Sequence, residues 1–400
     1  MECNGGDDAD TTGREYSFED FSPSSLRRRG SIKWSRYGAD VTACWVAEMD
    51  FAAAPPVREA VLDAVRREEF GYPKGDDSNG LPEAAAAFQA QRHGWVVDPA
   101  RVHTVPDVLK GVELGVRRYS PEGSPIVLTT PAYMPFFDIP AVTRRPVIEV
   151  RTLADGGASR FDFDAIDAAF SSGAGTVILC QPHNPLGRSF TREEMLQLAA
   201  VVDRHGARVV SDEVHAPLTY SGRRHIPYAS LSELTASHTI TVTSASKAWN
   251  LPGLKCAQVI TSNDVDERRW QAIPTLETHG ASTVGIAANV AAYLWGAPWL
   301  EAALAYLDGN RLYLADLLTE HLPDVGYRPP EATYLAWLDC RTLELDTEPA
   351  DFFLERARVA TNPGPAFGAD GAGFVRFNFG TSRRIIAQAV EAMAEATARR

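Results

Sequence analysis

Seven short apolar runs, separated by stretches of helical character, set the strongest limit on how this chain folds. They fall at residues 102–105, 125–129, 147–150, 176–180, 208–210, 239–243 and 256–260. Runs that are apolar at nearly every position and alternate with helices are the pattern of a parallel sheet buried on both faces. They predict an α/β fold whose large domain carries one mostly parallel seven-stranded sheet. From Ala291 the character changes to a long helical stretch through Leu318, an alternation at 333–338, a helix near Phe352 and a closing helix after Ser382. That predicts a smaller α+β domain. The expected division is a flexible tail at 1–15, a segment at 16–50 that joins the small domain, the large domain at 51–290 and the small domain at 291–400.

With 45% hydrophobic and 23% charged residues, the chain has the composition of a folded globular protein. Its net charge of -13 opposes partners bound through their phosphates, and Arg27, Arg28 and Arg29 form the only tight basic run. Neither nucleic acid nor membrane is an expected partner, because no stretch approaches the ~20 apolar residues that cross a bilayer. The acidic N-terminus lacks the features of a secretory signal, so the cytoplasm is the expected compartment. Cys3, Cys44, Cys180, Cys256 and Cys340 are widely spaced and odd in number, which argues for reduced thiols over a disulfide framework or a zinc site. No His-Glu-x-x-His helix occurs among the nine histidines, and no metal is expected.

In open α/β sheets, ligands sit beyond the carboxyl ends of the strands. Three of the predicted strand ends carry distinctive chemistry. The run at 176–180 leads into Gln181-Pro182-His183-Asn184-Pro185-Leu186-Gly187, the run at 208–210 into Ser211-Asp212-Glu213-Val214-His215, and the run at 239–243 into Ser244-Ala245-Ser246-Lys247. Taken singly, Asn-Pro marks a turn, Asp-Glu a helix start and lysine a surface charge. Together, an amide, a carboxylate and an amine at neighbouring strand ends meet the needs of pyridoxal 5'-phosphate (PLP). The amine holds the aldehyde, the carboxylate keeps the pyridine nitrogen protonated, and donors serve the ring oxygen and the phosphate.

With these motifs the chain resembles the class I/II aminotransferase superfamily, PLP fold type I, the aspartate aminotransferase-like architecture, from about Tyr37 to Ile386. The resemblance implies that Lys247 forms the Schiff base and moves the Cα proton, Asp212 pairs with the pyridinium and Asn184 bonds the ring oxygen. His215 stands where many relatives carry a tyrosine that touches the same oxygen. Ser244, Lys255 and the backbone N–H groups of Val108 and Leu109 would hold the phosphate at a helix start. Relatives usually show Pro-Gly there, whereas this chain has Pro106-Asp107. The added carboxylate should weaken phosphate binding unless Lys110 compensates. Tyr133 would stack on the pyridine ring. Arg376, a guanidinium inside the apolar run at 374–379, would clamp the substrate α-carboxylate. Tyr72 would reach the phosphate of a neighbouring subunit, which implies a homodimer with shared active sites.

A narrower resemblance concerns the reaction, which the fold alone does not select. The stretches 45–51 (with Trp45), 70–73, 211–215 and 246–254 are similar to the MalY/PatB-type carbon-sulfur lyases, relatives of cystathionine β-lyase. That implies elimination from L-cystathionine or another S-substituted L-cysteine to thiol, pyruvate and ammonia, with Trp45, Tyr133 and Arg376 facing substrate. Either Lys247 or Tyr72 would protonate the departing sulfur. The alternative is an aminotransferase, or a specialised-metabolism PLP enzyme acting on a cysteine conjugate. The Ser-x-x-Lys of 244–247 also matches serine acyl-enzymes, but no later Lys-Thr-Gly accompanies it. A PLP-sensing regulator would need a basic helix-turn-helix extension, which the sequence lacks.

Overall fold

The computed structural model describes residues 16–76, 78–155 and 158–399, and the predicted tail at 1–15 lies outside them. All seven predicted strands share one sheet: β1 (Val102–Val105), β2 (Ile126–Thr130), β3 (Val147–Arg151), β4 (Thr176–Cys180), β5 (Arg208–Asp212), β6 (Thr239–Thr243) and β7 (Ala257–Thr261). The spatial order is β1-β7-β6-β5-β4-β2-β3, and only β7 runs antiparallel to its neighbours. Strands β2, β4, β6 and β7 are buried at every position, which explains why they read as continuous apolar runs instead of alternating ones.

Helix α1 (Val108–Tyr119) follows β1 and lies on β5 and β6. Two glycines permit the approach. A Cβ on Gly111 would stand 2.6 Å from Val242 Cγ1, and one on Gly115 would stand 3.0 Å from Val210 Cγ1. The close seat brings the N-terminus of α1 to the same rim as the ends of β5 and β6.

The predicted long helix from Ala291 is two helices, α2 (Thr283–Trp295) and α3 (Ala297–His321), broken at Gly296. Trp249 occupies the space a side chain would need there: its Nε1 donates to Gly296 O at 2.9 Å, and a Cβ on Gly296 would come within 2.3 Å of that nitrogen. Pro298 then lacks the N–H that would continue the ladder. Beyond α3, strands β8 (Leu335–Asp339), β9 (Asn362–Pro363) and β10 (Phe374–Asn378) form an antiparallel sheet in the order β8-β10-β9. Helix α4 (Arg383–Ala398) packs on α3.

The N-terminal stretch is stitched to this C-terminal part. Thr42–Ala43 pairs in parallel with Val359–Ala360, and Asp50 N donates to Gly380 O at 2.9 Å. Asp50 in turn accepts from Lys33 Nζ at 3.0 Å and Trp34 Nε1 at 2.7 Å, with both charged side chains buried. A buried pair of this kind holds a loop in one position because neither partner tolerates loss of the other. Among the described residues, no helix is long and apolar enough to cross a membrane, and no cluster of acidic, histidine or cysteine side chains is suited to a metal. Cys44, Cys180, Cys256 and Cys340 are buried free thiols.

Candidate active site

The carboxyl ends of β4, β5 and β6 converge on a cavity of about 190 Å³. Val108, Leu109, Tyr133, Asn184, Asp212, His215, Ser244, Lys247 and Lys255, all singled out from the sequence, line it. The register explains the grouping, since Cys180 pairs with Asp212 and Asp212 with Val242. Three motifs far apart in the chain therefore end on adjacent strands. A larger cavity of about 720 Å³ lies elsewhere, between the ends of β2 and β3 and the loop at 326–331. No lysine lines that cavity, so the chemistry gathers in the smaller one.

The buried charges at the smaller cavity have no ion-pair partner among the described residues. Asp212 Oδ1 accepts from Val214 N at 3.1 Å, and burial raises its carboxyl to about 7 despite that bond and the nearby Lys247. Lys247 Nζ donates to Ala47 O at 2.8 Å, and its amine is pulled down to about 8 by burial and by Arg376. Arg376 is buried with neutral acceptors only: Asn184 Oδ1 at 3.1 Å, Asn362 Oδ1 at 2.6 Å and Trp45 O at 3.0 Å. Its Nε has no partner, and burial lowers the guanidinium to about 10. His215 is buried with an unpaired Nδ1, and burial drives it well below the usual imidazole range, so it is neutral.

The phosphate end differs from expectation in two respects. Asp107 is the N-cap of α1 and accepts from Lys110 N, which leaves the N–H groups of Val108 and Leu109 open. The compensating cation is Lys255, whose Nζ lies 2.7 Å from Asp107 Oδ2, whereas Lys110 turns to Glu113 at 3.0 Å. The predicted compensation by Lys110 is therefore corrected to Lys255. Ser244 Oγ donates to Cys256 O at 2.7 Å and accepts from Ser246 N at 3.0 Å, so its hydroxyl is already committed. Ser246, not singled out from the sequence, lines the cavity and offers a second hydroxyl, as Cys180 and Cys256 add thiols to the lining.

The segment at 45–50 lies across the cavity. Asn378 Nδ2 holds the carbonyls of Val46 and Glu48, Asn250 brackets Met49 at 2.8 and 2.7 Å, and Tyr334 donates to Ala47 O at 2.9 Å. Trp45 reaches Arg376 only through its carbonyl. Its ring stands 5.6 Å from Tyr37 and under the Arg36 guanidinium, away from the cavity lining. Tyr72 is fully exposed and is not brought to the cavity of its own chain. Asn250 and Asn378 lie inside the stretches 246–254 and 374–379 but were not singled out, and Tyr334 and Asn362 carried no sequence motif; Asn250 adopts a left-handed backbone (φ 59°).

The arrangement fits PLP in its unmet demands. Asp212 lacks a cation, Arg376 lacks an anion, two helix N–H groups lack acceptors, and Lys247 is an amine poised to lose its proton. A pyridinium nitrogen, a substrate carboxylate, a phosphate and an aldehyde answer these in turn.

The sequence pattern of the family described as aminotransferase class I and II matches residues 46–393. A cystathionine beta-lyase from Corynebacterium glutamicum is 37% identical over 92% of this chain and 97% of its own length. The cystathionine beta-lyase PatB of Bacillus subtilis is 33% identical over 88% of the chain and 92% of its own. Among solved structures, the PLP-bound C-S lyase from Staphylococcus hominis superposes with a TM-score of 0.88 at 26% identity, covering 96% of this chain and 99% of that one.

The Asp107 carboxylate neutralises the lysine beside the open helix N-terminus, so its removal should favour an incoming phosphate. Asp107→Asn keeps the capping oxygen and is expected to lower the dissociation constant of PLP a few-fold, roughly 0.5–1 kcal/mol for a screened pair at this exposure. Titration of the cofactor-free protein by visible absorbance checks it, and equal or weaker binding by the variant contradicts it.

Proposed function

The chain belongs to the class I and II aminotransferase family, and from that premise we propose that it is a PLP-dependent carbon-sulfur β-lyase, releasing thiol, pyruvate and ammonia from L-cystathionine or another S-substituted L-cysteine. The observation that carries the reading is a charge triad at one small cavity: Lys247, its amine lowered to about 8, and the buried Asp212 line it, and the buried Arg376 stands behind Asn184, with no side chain ion-paired to Asp212 or Arg376 among the described residues. The similarity to curated cystathionine beta-lyases over nearly the whole chain supports sulfur chemistry.

When bound, PLP supplies the aldehyde that takes up an amine and a ring that accepts the electron pair left at Cα. Lys247 holds the cofactor and, once freed, takes the Cα proton on Nζ; an amine with a lowered pKa is neutral often enough near pH 7 to do so. Asp212 keeps the ring nitrogen protonated. Arg376 would bind the substrate carboxylate through the N–H groups its neutral partners leave free, the unpaired Nε among them. Asn184 accepts from Arg376 through Oδ1, which turns its amide N–H groups to the ring oxygen, where His215 adds a second neutral contact. Tyr133 would lie against the ring, and the N–H groups of Val108 and Leu109 with Lys255 would take the phosphate. The Cβ–S bond breaks with its electron pair going to sulfur, a proton from Lys247 or Tyr72 completes the thiol, and water converts the remaining enamine to pyruvate and ammonia.

The same reading makes the protein a cytoplasmic homodimer divided near residue 290 into a large and a small domain. Phe70 and Tyr72, 69% and 102% exposed in the single chain, support a partner at that surface.

Two experiments bear on this. Purified protein supplied with PLP and L-cystathionine is expected to release pyruvate and thiol in equal amounts, with the activity and the visible cofactor absorbance both lost in Lys247→Ala; amino transfer to a keto acid without thiol would move the reaction to the aminotransferases. Mixing the inactive variants Tyr72→Ala and Lys247→Ala is expected to restore part of the activity through hybrid dimers, and no recovery would remove Tyr72 from a shared site.

A further inference from the structure

Apart from the ligand cavity, another cavity of about 540 Å³ opens to the surface. Arg92, His93, Tyr220, Arg224 and His225 are among the residues that line it. The two imidazoles meet edge to face with centroids 5.0 Å apart, and both side chains are more than nine-tenths buried. His225 Nε2 lies 2.8 Å from Glu213 Oε2, and Glu213 directly follows Asp212 in the chain. Two ring nitrogens remain: His93 Nε2 and His225 Nδ1 are buried with no hydrogen-bond partner. Buried polar atoms without partners are rare, and each calls for an occupant that supplies one.

The charges on the rim say which kind. The carboxylates near the cavity are already matched: Glu301 faces Arg92, Asp308 faces Arg311, Glu331 faces Arg223 at 2.7 Å, and the buried Glu213 faces His225. Arg224 is left over, with no hydrogen bond or ion pair among the described residues. Its guanidinium lies against Gly94, the residue after His93, close enough that a Cβ there would stand 3.1 Å from Nη2. A metal ion would meet only two imidazoles and a surplus of positive charge. An anion would meet a free guanidinium and the His93 imidazole, whose buried Nε2 has no other partner.

We propose that this cavity is a binding site for a phosphate group, held by Arg224 and His93. Arg224 donates in the planar fork that suits phosphate oxygens. His93, which burial and the neighbouring cations hold neutral, presents one N–H. His225 donates Nε2–H to Glu213 and packs edge to face on the His93 ring, which fixes where that ring points. The remaining volume beside Leu304 and Ala305 leaves room for the organic part of a phosphate monoester. The site is separate from the PLP phosphate position and does not rest on the lyase reading.

The test uses the protein saturated with PLP, so that the phosphate position in the first cavity is filled, in phosphate-free buffer at constant ionic strength. Inorganic phosphate and, separately, glycerol phosphate are titrated by calorimetry into the wild type, Arg224→Ala and His93→Phe. Saturable one-to-one binding is expected, weakened about tenfold or more in Arg224→Ala, as expected for loss of a charged donor, and weakened in His93→Phe with folding unchanged by circular dichroism. Tighter binding of the ester identifies an organic phosphate as the occupant, and equal or weaker binding identifies the free ion. Absence of saturable binding by either probe, or binding undiminished in Arg224→Ala, overturns the proposal.

Discussion

Everything in this structure is arranged around three ionisable groups held out of water without partners of opposite charge. Asp212, Lys247 and Arg376 come from β5, from the turn after β6 and from β10, and burial shifts each toward its neutral form. Taking a charge from water without compensation is costly. The fold bears that cost because the strands that carry the groups are buried at all but their first positions or throughout, and are fixed by the register of neighbouring strands. Such a site is unfinished by itself and is completed by a ligand carrying a cation, an anion and an electrophile in the right order.

The N-terminal segment illustrates how backbone serves that end. Residues 45–50 carry few side chains into the cavity, yet their carbonyls receive Lys247, Arg376, Tyr334 and Asn378. The buried Lys33–Asp50 pair and the Asn250 bracket set the position of that strip. Removal of an anchor far from the chemistry would therefore be felt at Lys247 through the carbonyl of Ala47.

Much of this was legible from the residue order. Four central strands of the large sheet are buried at every position because both faces are covered, and that leaves an unbroken local signal. The residues after β4, β5 and β6 stood out because ligand-binding side chains collect at strand ends. Other features depend on partners distant in sequence. Asp107 and Lys255 meet across 148 positions, so which lysine answers the carboxylate could not be read locally. Ser244 is spent on Cys256, a contact across the β6–β7 connection. The break at Gly296 exists because Trp249 fills the space beside it, and Trp45 contributes a carbonyl that any residue could have supplied.

The most direct measurement is the stability of the cofactor-free protein to urea at pH 5 and pH 8, for the wild type and Asp212→Asn. A carboxyl raised from 3.8 to about 7 in the folded state binds protons the unfolded chain has released, so it stabilises the fold below pH 4 and loses that contribution as pH rises to about 7. Lys247, lowered to about 8 from 10.5, acts with the opposite sign and at higher pH. The account predicts that the wild type loses more stability than Asp212→Asn between pH 5 and pH 8, and that the loss is recovered when PLP binds. Identical pH dependence in the two proteins would mean that Asp212 is not a buried carboxyl waiting for a cation, and would contradict the account at its centre.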